Sequence, residues 1–134
     1  MHFIWKEEYI FNIKEIDKQH QCFIGILDSI YDSIFKNLSR EEMAVLLQSL
    51  IDYTVNHFST EEKYFIKFDY PEAKEHIVKH EELKTKVLAF QKDFKEGKSD
   101  ISIGLIDFLE DWLVDHLLTT DKKYVEYFHE HGLY

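Results

Sequence analysis

The sequence predicts an all-α protein, an up-down-up-down four-helix bundle with an N-terminal arm and a short C-terminal helix. The chain has 134 residues, which is the usual length of one domain. It contains only 4 Gly and 1 Pro, so few residues interrupt helices. Four long segments repeat apolar residues every three or four positions, and short connections between them favour antiparallel neighbours. We therefore treat residues 1–134 as a single domain.

Residues 1–15 are predicted to form an arm anchored by Trp5, Tyr9 and Phe11. The first helix is predicted over residues 16–37, because it carries a continuous stripe at helical spacing. The stripe consists of Ile16, His20, Phe23, Leu27, Ile30 and Ile34.

The remaining helices are placed by their start and stop signals. Ser39 and Glu42 have the spacing of a capping box, which predicts a helix over 40–67. Pro71 suits the first turn of a helix over 71–96, which Gly97 would end. Ser99 and Asp100 are N-cap residues for a helix over 100–118. A short last helix is expected over about 121–130.

The charge of the chain excludes several partners. Lys and Arg number 16 against 26 Asp and Glu, a net charge of −10 at pH 7. Nucleic acid and anionic membrane surfaces would be repelled. No apolar run is long enough to span a bilayer, and Lys6, Glu7 and Glu8 interrupt any secretory segment. Cys22 stands alone, so no internal disulfide forms, and we expect a soluble cytoplasmic protein.

Eight histidines in so short a chain are unusual. One histidine on an apolar stripe is usually a hydrogen-bonded core residue. Here five histidines and one glutamate interrupt the stripes of four helices. His57 with Glu61, and His76 with His80, also share a helix face because they are four residues apart.

The distances along the antiparallel helices bring these six groups to one level. His20 and His57 each lie about 17 residues from the first turn, roughly 26 Å along the helix. Glu61 and His76 lie about 7 and 5 residues from the second turn. His80 and His116 are each about 17 residues from Gly97. Because unpaired buried polar groups are costly, a metal is the expected compensation.

Asp121 can join these six groups as a further metal ligand only if the helix is irregular between His116 and Asp121. Five residues after His116, it would point about 140° away from that residue on a regular helix. Both can face inward if the helix ends or adopts a π-like turn near Thr119 and Thr120. The alternative is an ordinary acidic residue at a helix N-terminus.

Five imidazoles and two carboxylates are too many ligands for one tetrahedral zinc. The two Glu-x-x-His pairs of ferritin-like di-iron bundles are missing as well, since the chain has only Glu126 with His129. This mixture of ligands suits iron best, with manganese or zinc as possible contaminants.

The chain resembles the hemerythrins, most closely the bacterial single-domain type (bacteriohemerythrin), over essentially its whole length. The matching motifs are Ile16-Asp17-Lys18-Gln19-His20, His57-Phe58-Ser59-Thr60-Glu61-Glu62, Tyr70-Pro71 leading to His76-x-x-x-His80, and Trp112-x-x-x-His116-x-x-x-x-Asp121.

The resemblance implies two iron ions bridged by Glu61, Asp121 and a hydroxide or oxide. His76, His80 and His116 would bind one iron, and His20 and His57 the other, whose sixth position is open to dioxygen. The family's dioxygen pocket corresponds to Phe23, Phe58, Trp112, Leu113 and Leu117, which are also ordinary core residues.

The resemblance therefore implies reversible dioxygen binding, for storage, delivery or sensing, rather than an enzyme. The alternatives are a di-iron enzyme or repair protein acting on oxygen, peroxide or nitric oxide, an iron donor, and a metal-free interaction module. No protein partner is indicated.

Other candidates carry weaker signals. His129 and His131 are expected in a solvated tail. Cys22 is expected to pack, and His2 has no assigned role. Asp17 and Glu62 either orient ligand imidazoles or lie on a solvated face.

Overall fold

The computed structural model describes residues 6–101 and 103–134, and within these ranges every regular element is helical. This confirms the predicted all-α bundle. The arm contains a short 3-10 helix at Glu7–Tyr9. The helices are α1 (Lys14–Phe35), α2 (Arg40–Phe68), α3 (Ala73–Lys95), α4 (Ile103–Asp115) and α5 (Lys122–Glu130), with a π-helical segment, His116–Asp121, between the last two. α1 packs against α2 and α4, and α2 packs against α3.

The arm is fixed to the bundle by buried side chains and one hydrogen bond. Tyr9, Phe11 and Ile13 are buried in the core. The Phe11 backbone N–H donates to Asp17 Oδ1 over 2.7 Å, which ties the arm to the first turn of α1. Two of the three predicted anchors, Tyr9 and Phe11, are thus confirmed, whereas Trp5 lies outside the described residues.

The predicted start of α2 and end of α3 are confirmed in detail. The Ser39 hydroxyl accepts from the Glu42 N–H, and the Glu42 carboxylate accepts from the Ser39 N–H, so both halves of the capping box form. At the end of α3, Gly97 has φ +74°. Its N–H donates to the Phe94 carbonyl, and the Lys98 N–H donates to the Asp93 carbonyl, the pairing of a Schellman motif.

The start of α3 differs from the prediction. Pro71 lies in the turn before the helix, which begins at Ala73. The reason is the end of α2, where Asp69 takes a left-handed conformation and the Tyr70 N–H donates back to the Phe65 carbonyl. The chain needs Tyr70 and Pro71 to complete this reversal before helical geometry can resume.

The start of α4 is also later than predicted. Asp100 does not cap the helix, because its carboxylate forms an ion pair with Arg40 at the start of α2. α4 begins at Ile103 and α5 ends at Glu130, where Gly132 with φ +85° closes a second Schellman motif. None of the described helices is long and apolar enough to cross a membrane.

The capping box generates a stability prediction. Ser39→Ala removes the acceptor for the Glu42 N–H and should lower the free energy of unfolding by about 1 kcal/mol. The measurement is urea unfolding followed by circular dichroism. Ser29→Ala is the matched control, because Ser29 is exposed in the middle of α1 and bonds only to the carbonyl one turn earlier. Equal loss in the two variants would contradict the capping role.

Candidate metal centre

Seven ionisable side chains meet in the interior of the bundle, and all seven are buried. Each comes from a helix that reaches the same level of the bundle, as the sequence predicted. α1 supplies His20, α2 supplies His57 and Glu61, α3 supplies His76 and His80, and the π segment supplies His116 and Asp121.

The five imidazoles divide into a group of three and a group of two. In the first group, the Nε2 atoms of His76 and His116 are 3.2 Å apart, and the ring centroids of His80 and His116 are separated by 5.2 Å. In the second group, the ring centroids of His20 and His57 are 4.8 Å apart.

Each of the two carboxylates touches both histidine groups. Glu61 Oε1 lies 3.3 Å from His57 Nε2 and 3.2 Å from His80 Nε2. Asp121 Oδ1 lies 2.8 Å from His116 Nε2, and its other oxygen lies 3.8 Å from His20 Nε2. A carboxylate between two sets of imidazoles is in the position of a bridge between two cations.

The π segment makes the inward position of Asp121 possible. In a π-helix hydrogen bonds join residues five apart, so such residues lie on the same face. His116 and Asp121 are the first and last residues of this segment. The conditional prediction of a π-like turn between them is therefore confirmed, and its residues are those that bring both groups inward.

The electrostatics of the site favour neutral imidazoles, the form that binds metals. Burial lowers the pKa of His20 and of His57 to about 4, although the carboxylates Asp121 and Glu61 oppose the shift. Burial, assisted by repulsion from His76 and His116, lowers the pKa of His80 to about 3. At neutral pH these three side chains offer lone pairs rather than positive charge.

The two carboxylates differ from each other. Burial and the nearby Asp121 raise the pKa of Glu61 to about 7. Burial would also raise the pKa of Asp121, but His116 and His76 outweigh it and hold that pKa well below its usual value. In turn Asp121 overcomes the effect of burial on His116 and raises its pKa.

The residues fit a metal because their polar atoms are not satisfied by one another. The Nε2 atoms of His20 and His80 are buried without a hydrogen-bond partner, although each lies within 4 Å of a carboxylate oxygen. Buried polar atoms normally find a partner, and leaving one unpaired costs about 1–3 kcal/mol. Cations placed between the imidazoles and the carboxylates would satisfy both sets at once.

A residue that the sequence reasoning missed orients one of these imidazoles. Gln19 Oε1 lies 2.7 Å from His57 Nδ1, and Gln19 Nε2 donates to Thr60 Oγ1 over 3.0 Å. Because the Thr60 bond fixes which end of the amide faces His57, the Nδ1 atom carries the proton and Nε2 is left free for a metal. The signal in the sequence was the position of Gln19 directly before His20, within the first motif that resembles the hemerythrins.

Glu62 and Asp17, the two carboxylates expected to orient imidazoles, have different neighbours in the structure. Glu62 Oε2 lies 3.6 Å from His80 Nδ1, close enough to influence that imidazole. Asp17 Oδ1 accepts from the Phe11 backbone N–H, and an orienting role for this carboxylate stays a prediction. The arm competes for Asp17 because its Phe11 N–H needs an acceptor where the chain enters the bundle.

Aromatic rings cover one side of the three-histidine group. The Phe58 ring stacks on His80 with 3.7 Å between centroids, and the half-buried Trp112 ring stacks on His116 at 4.4 Å. Three further residues of the predicted pocket are buried core side chains: Phe23, Leu113 and Leu117.

The weaker candidates lie apart from this site. His129 Nε2 is near the Asn12 carbonyl, and His131 Nδ1 is near the Tyr127 carbonyl. Within 6–101 and 103–134, neither histidine belongs to a group that could hold a metal ion. The half-buried Cys22 lines a surface recess together with Tyr53, and His2 lies outside the described residues.

Comparisons with known proteins agree with this geometry. The model of the hemerythrin HHE cation binding domain matches residues 12–128. The chain is 31% identical to a bacteriohemerythrin of Methylococcus capsulatus, over 87% of this chain and 88% of that protein. It is 30% identical to myohemerythrin-1 of Phascolopsis gouldii, over 91% of each chain.

A solved structure of wild-type hemerythrin has the same fold. It superposes with a TM-score of 0.88 at 28% identity, covering 94% of this chain and 97% of the other. With the family model matching most of its length, and with five buried histidines and two carboxylates at one level of a four-helix bundle, the chain belongs to the hemerythrin family.

Proposed function

We propose that this protein binds dioxygen reversibly at a pair of iron ions, for storage, delivery or sensing. The observation that carries the proposal is the division of five imidazoles into groups of three and two, with both carboxylates touching both groups. One iron would be held by His76, His80 and His116, and the other by His20 and His57. Glu61 and Asp121 would bridge them, together with a hydroxide or oxide.

Because one iron would have three imidazoles and the other two, the second would keep one coordination position open for dioxygen. Octahedral iron takes six donors. Three imidazoles, two carboxylate oxygens and one bridging oxygen would provide six donors for the first iron, whereas the second would have only five. An iron pair held in this way supplies an open coordination position and two electrons for binding dioxygen.

The residues around the ligands keep the imidazoles in the correct form. The His57 Nδ1–H donates a hydrogen bond to Gln19 Oε1, so the lone pair of His57 is on Nε2 and points inward. In this way the protein fixes the tautomer of His57 before any metal binds. Glu62 Oε2 lies 3.6 Å from His80 Nδ1, beyond hydrogen-bond distance, and acts on that imidazole through its charge.

The apolar side chains around the site are proposed to exclude water. Phe58 stacks on His80, and Trp112 stacks on His116. Buried apolar side chains of α1, α4 and the π segment complete the proposed pocket: Phe23, Leu113 and Leu117. Charged species enter an apolar pocket at high cost, whereas dioxygen is neutral. Such a pocket favours release of dioxygen over irreversible oxidation of the iron.

The other functions considered from the sequence receive less support. The relatives found are hemerythrins, and no described residue of the site favours a di-iron enzyme, a repair protein or an iron donor. We infer that residues 1–134 form one domain and that the protein is not an enzyme and acts in the cytoplasm.

The direct test is an oxygen titration of protein purified without air. We expect two irons per folded chain and a visible absorption band that appears with oxygen and disappears under argon through repeated cycles. Iron content and absorbance are the measurements. One iron or none per folded chain would contradict the site, and a band that decays at the first cycle would contradict reversible binding.

The pocket assignment generates a second prediction. Leu113→Thr places a hydroxyl in the apolar pocket and should increase the rate of irreversible iron oxidation several-fold, because water and protons then reach the site. The measurement is the loss of the oxygenated band with time. The control is Leu118→Thr, in a half-buried leucine of the following π segment that is not assigned to the pocket. Equal rates in Leu113→Thr and the unmodified protein would remove Leu113 from the pocket.

The raised pKa of Glu61 generates a prediction for metal-free protein. Because this pKa is about 7 in the folded state and about 4.5 when unfolded, stability is lost as the pH rises through this interval. Glu61→Gln should therefore stabilise metal-free protein at pH 8, by on the order of 2 kcal/mol, and have little effect near pH 4.5.

The measurement is urea unfolding of both proteins in chelator at the two pH values. Glu75→Gln is the control, since Glu75 is exposed on α3. A Glu61→Gln effect that is the same at both pH values would show that charge at Glu61 is not the cause.

A further inference from the structure

A small recess lies outside the metal centre, between α3 and the π segment. Its volume is about 30 Å³, and His76 forms part of its wall. Two lysines, Lys79 and Lys123, also line it, together with Thr120. Ammonium and carboxylate groups of surface residues therefore lie beside a site histidine at this recess.

One hydrogen bond closes the inner side of this recess. Lys79 Nζ donates to Thr120 Oγ1 over 3.0 Å. Thr120 is only 6% exposed, whereas Lys79 is an exposed residue whose side chain reaches inward. The stem of a lysine can lie along the protein in this way while its ammonium group binds a partner.

The bond between Lys79 and Thr120 connects two elements that carry site residues. Lys79 lies between His76 and His80 on α3, and Thr120 directly precedes Asp121 in the π segment. The bond thus joins the helix that carries two of the site histidines to the segment that carries His116 and Asp121. It spans 41 residues of sequence.

The π segment is the part of the bundle that most needs such support. π-helices are rare and occur as single turns, because the wider turn is less favourable than an α-helix. A relaxation of this segment toward α-helical geometry would rotate Asp121 away from His116, and the carboxylate would leave its place between the two histidine groups.

We propose that Lys79 is a positioning residue of the metal centre, which holds Thr120 and thereby keeps the π segment in the geometry that points Asp121 at the histidines. The inference rests on the proposed function, but its first test uses metal-free protein, so the two can fail separately.

Lys123 is a matched control that distinguishes loss of the hydrogen bond to Thr120 from loss of positive charge. It carries the same charge and lines the same recess, but the bond to Thr120 is made by Lys79. Lys79→Met and Lys123→Met therefore remove the same charge from the same place, and only the first removes the bond. Thr120→Val removes the bond and leaves both charges.

The first experiment measures hydrogen exchange of the amides of residues 116–121 in metal-free protein. A charge-assisted hydrogen bond contributes about 1 kcal/mol or more, so Lys79→Met and Thr120→Val should each increase exchange about fivefold. The double variant should show no further increase, because both changes remove one bond. Lys123→Met should exchange as the unmodified protein does. Additive effects of Lys79→Met and Thr120→Val, or an equal effect of Lys123→Met, would overturn the proposal.

The second experiment measures iron-loaded protein. Groups that orient metal ligands typically change metal affinity 10–100-fold, and the exposed position of Lys79 places it at the low end. We expect iron loss to a chelator about tenfold faster in Lys79→Met, restored by Lys79→Arg, with shifted visible absorption bands that Lys123→Met does not show. Unshifted bands and unchanged iron loss in Lys79→Met would overturn the role. Failure of the unmodified protein to bind iron would instead overturn the proposed function, while the exchange result would stand.

Discussion

The structure depends on one electrostatic constraint, the burial of two carboxylates among five imidazoles in a dry interior. Glu61 and His80 have no exposed surface at all. A buried charge without a partner costs several kcal/mol, and the imidazoles cannot neutralise both acids, because burial itself lowers the pKa of His20, His57 and His80. Cations held between the two histidine groups remove this conflict, since they take lone pairs from neutral imidazoles and charge from the carboxylates.

The rest of the fold follows from the need to bring these groups to one level. Four helices must end at turns that fix their relative heights, and the capping box at Ser39 and the left-handed Asp69 and Gly97 set these ends. The bundle also departs from regular geometry where the site requires it. The π segment is such a departure, and it is bonded to α3 through Lys79 and Thr120.

Much of this arrangement could be predicted from sequence because its signals are local or periodic. The spacing of apolar residues predicts the helices, and equal distances from the turns predict that His20 meets His57 and that His80 meets His116. A spacing of five between His116 and Asp121 even predicts the irregular turn. Other features depend on contacts between distant parts of the chain. Asp100 pairs with Arg40, and Gln19 spans to Thr60, so no pattern near any of these residues reveals them.

The central claim is that both carboxylates lie between two irons with unequal numbers of imidazoles. The most direct test is a crystal of iron-loaded protein measured at the iron absorption edge, where anomalous scattering locates each iron. The proposed site predicts two peaks about 3.5 Å apart, one beside His76, His80 and His116 and the other beside His20 and His57, with Glu61 and Asp121 touching both. A single peak, or two peaks that share neither carboxylate, would contradict it.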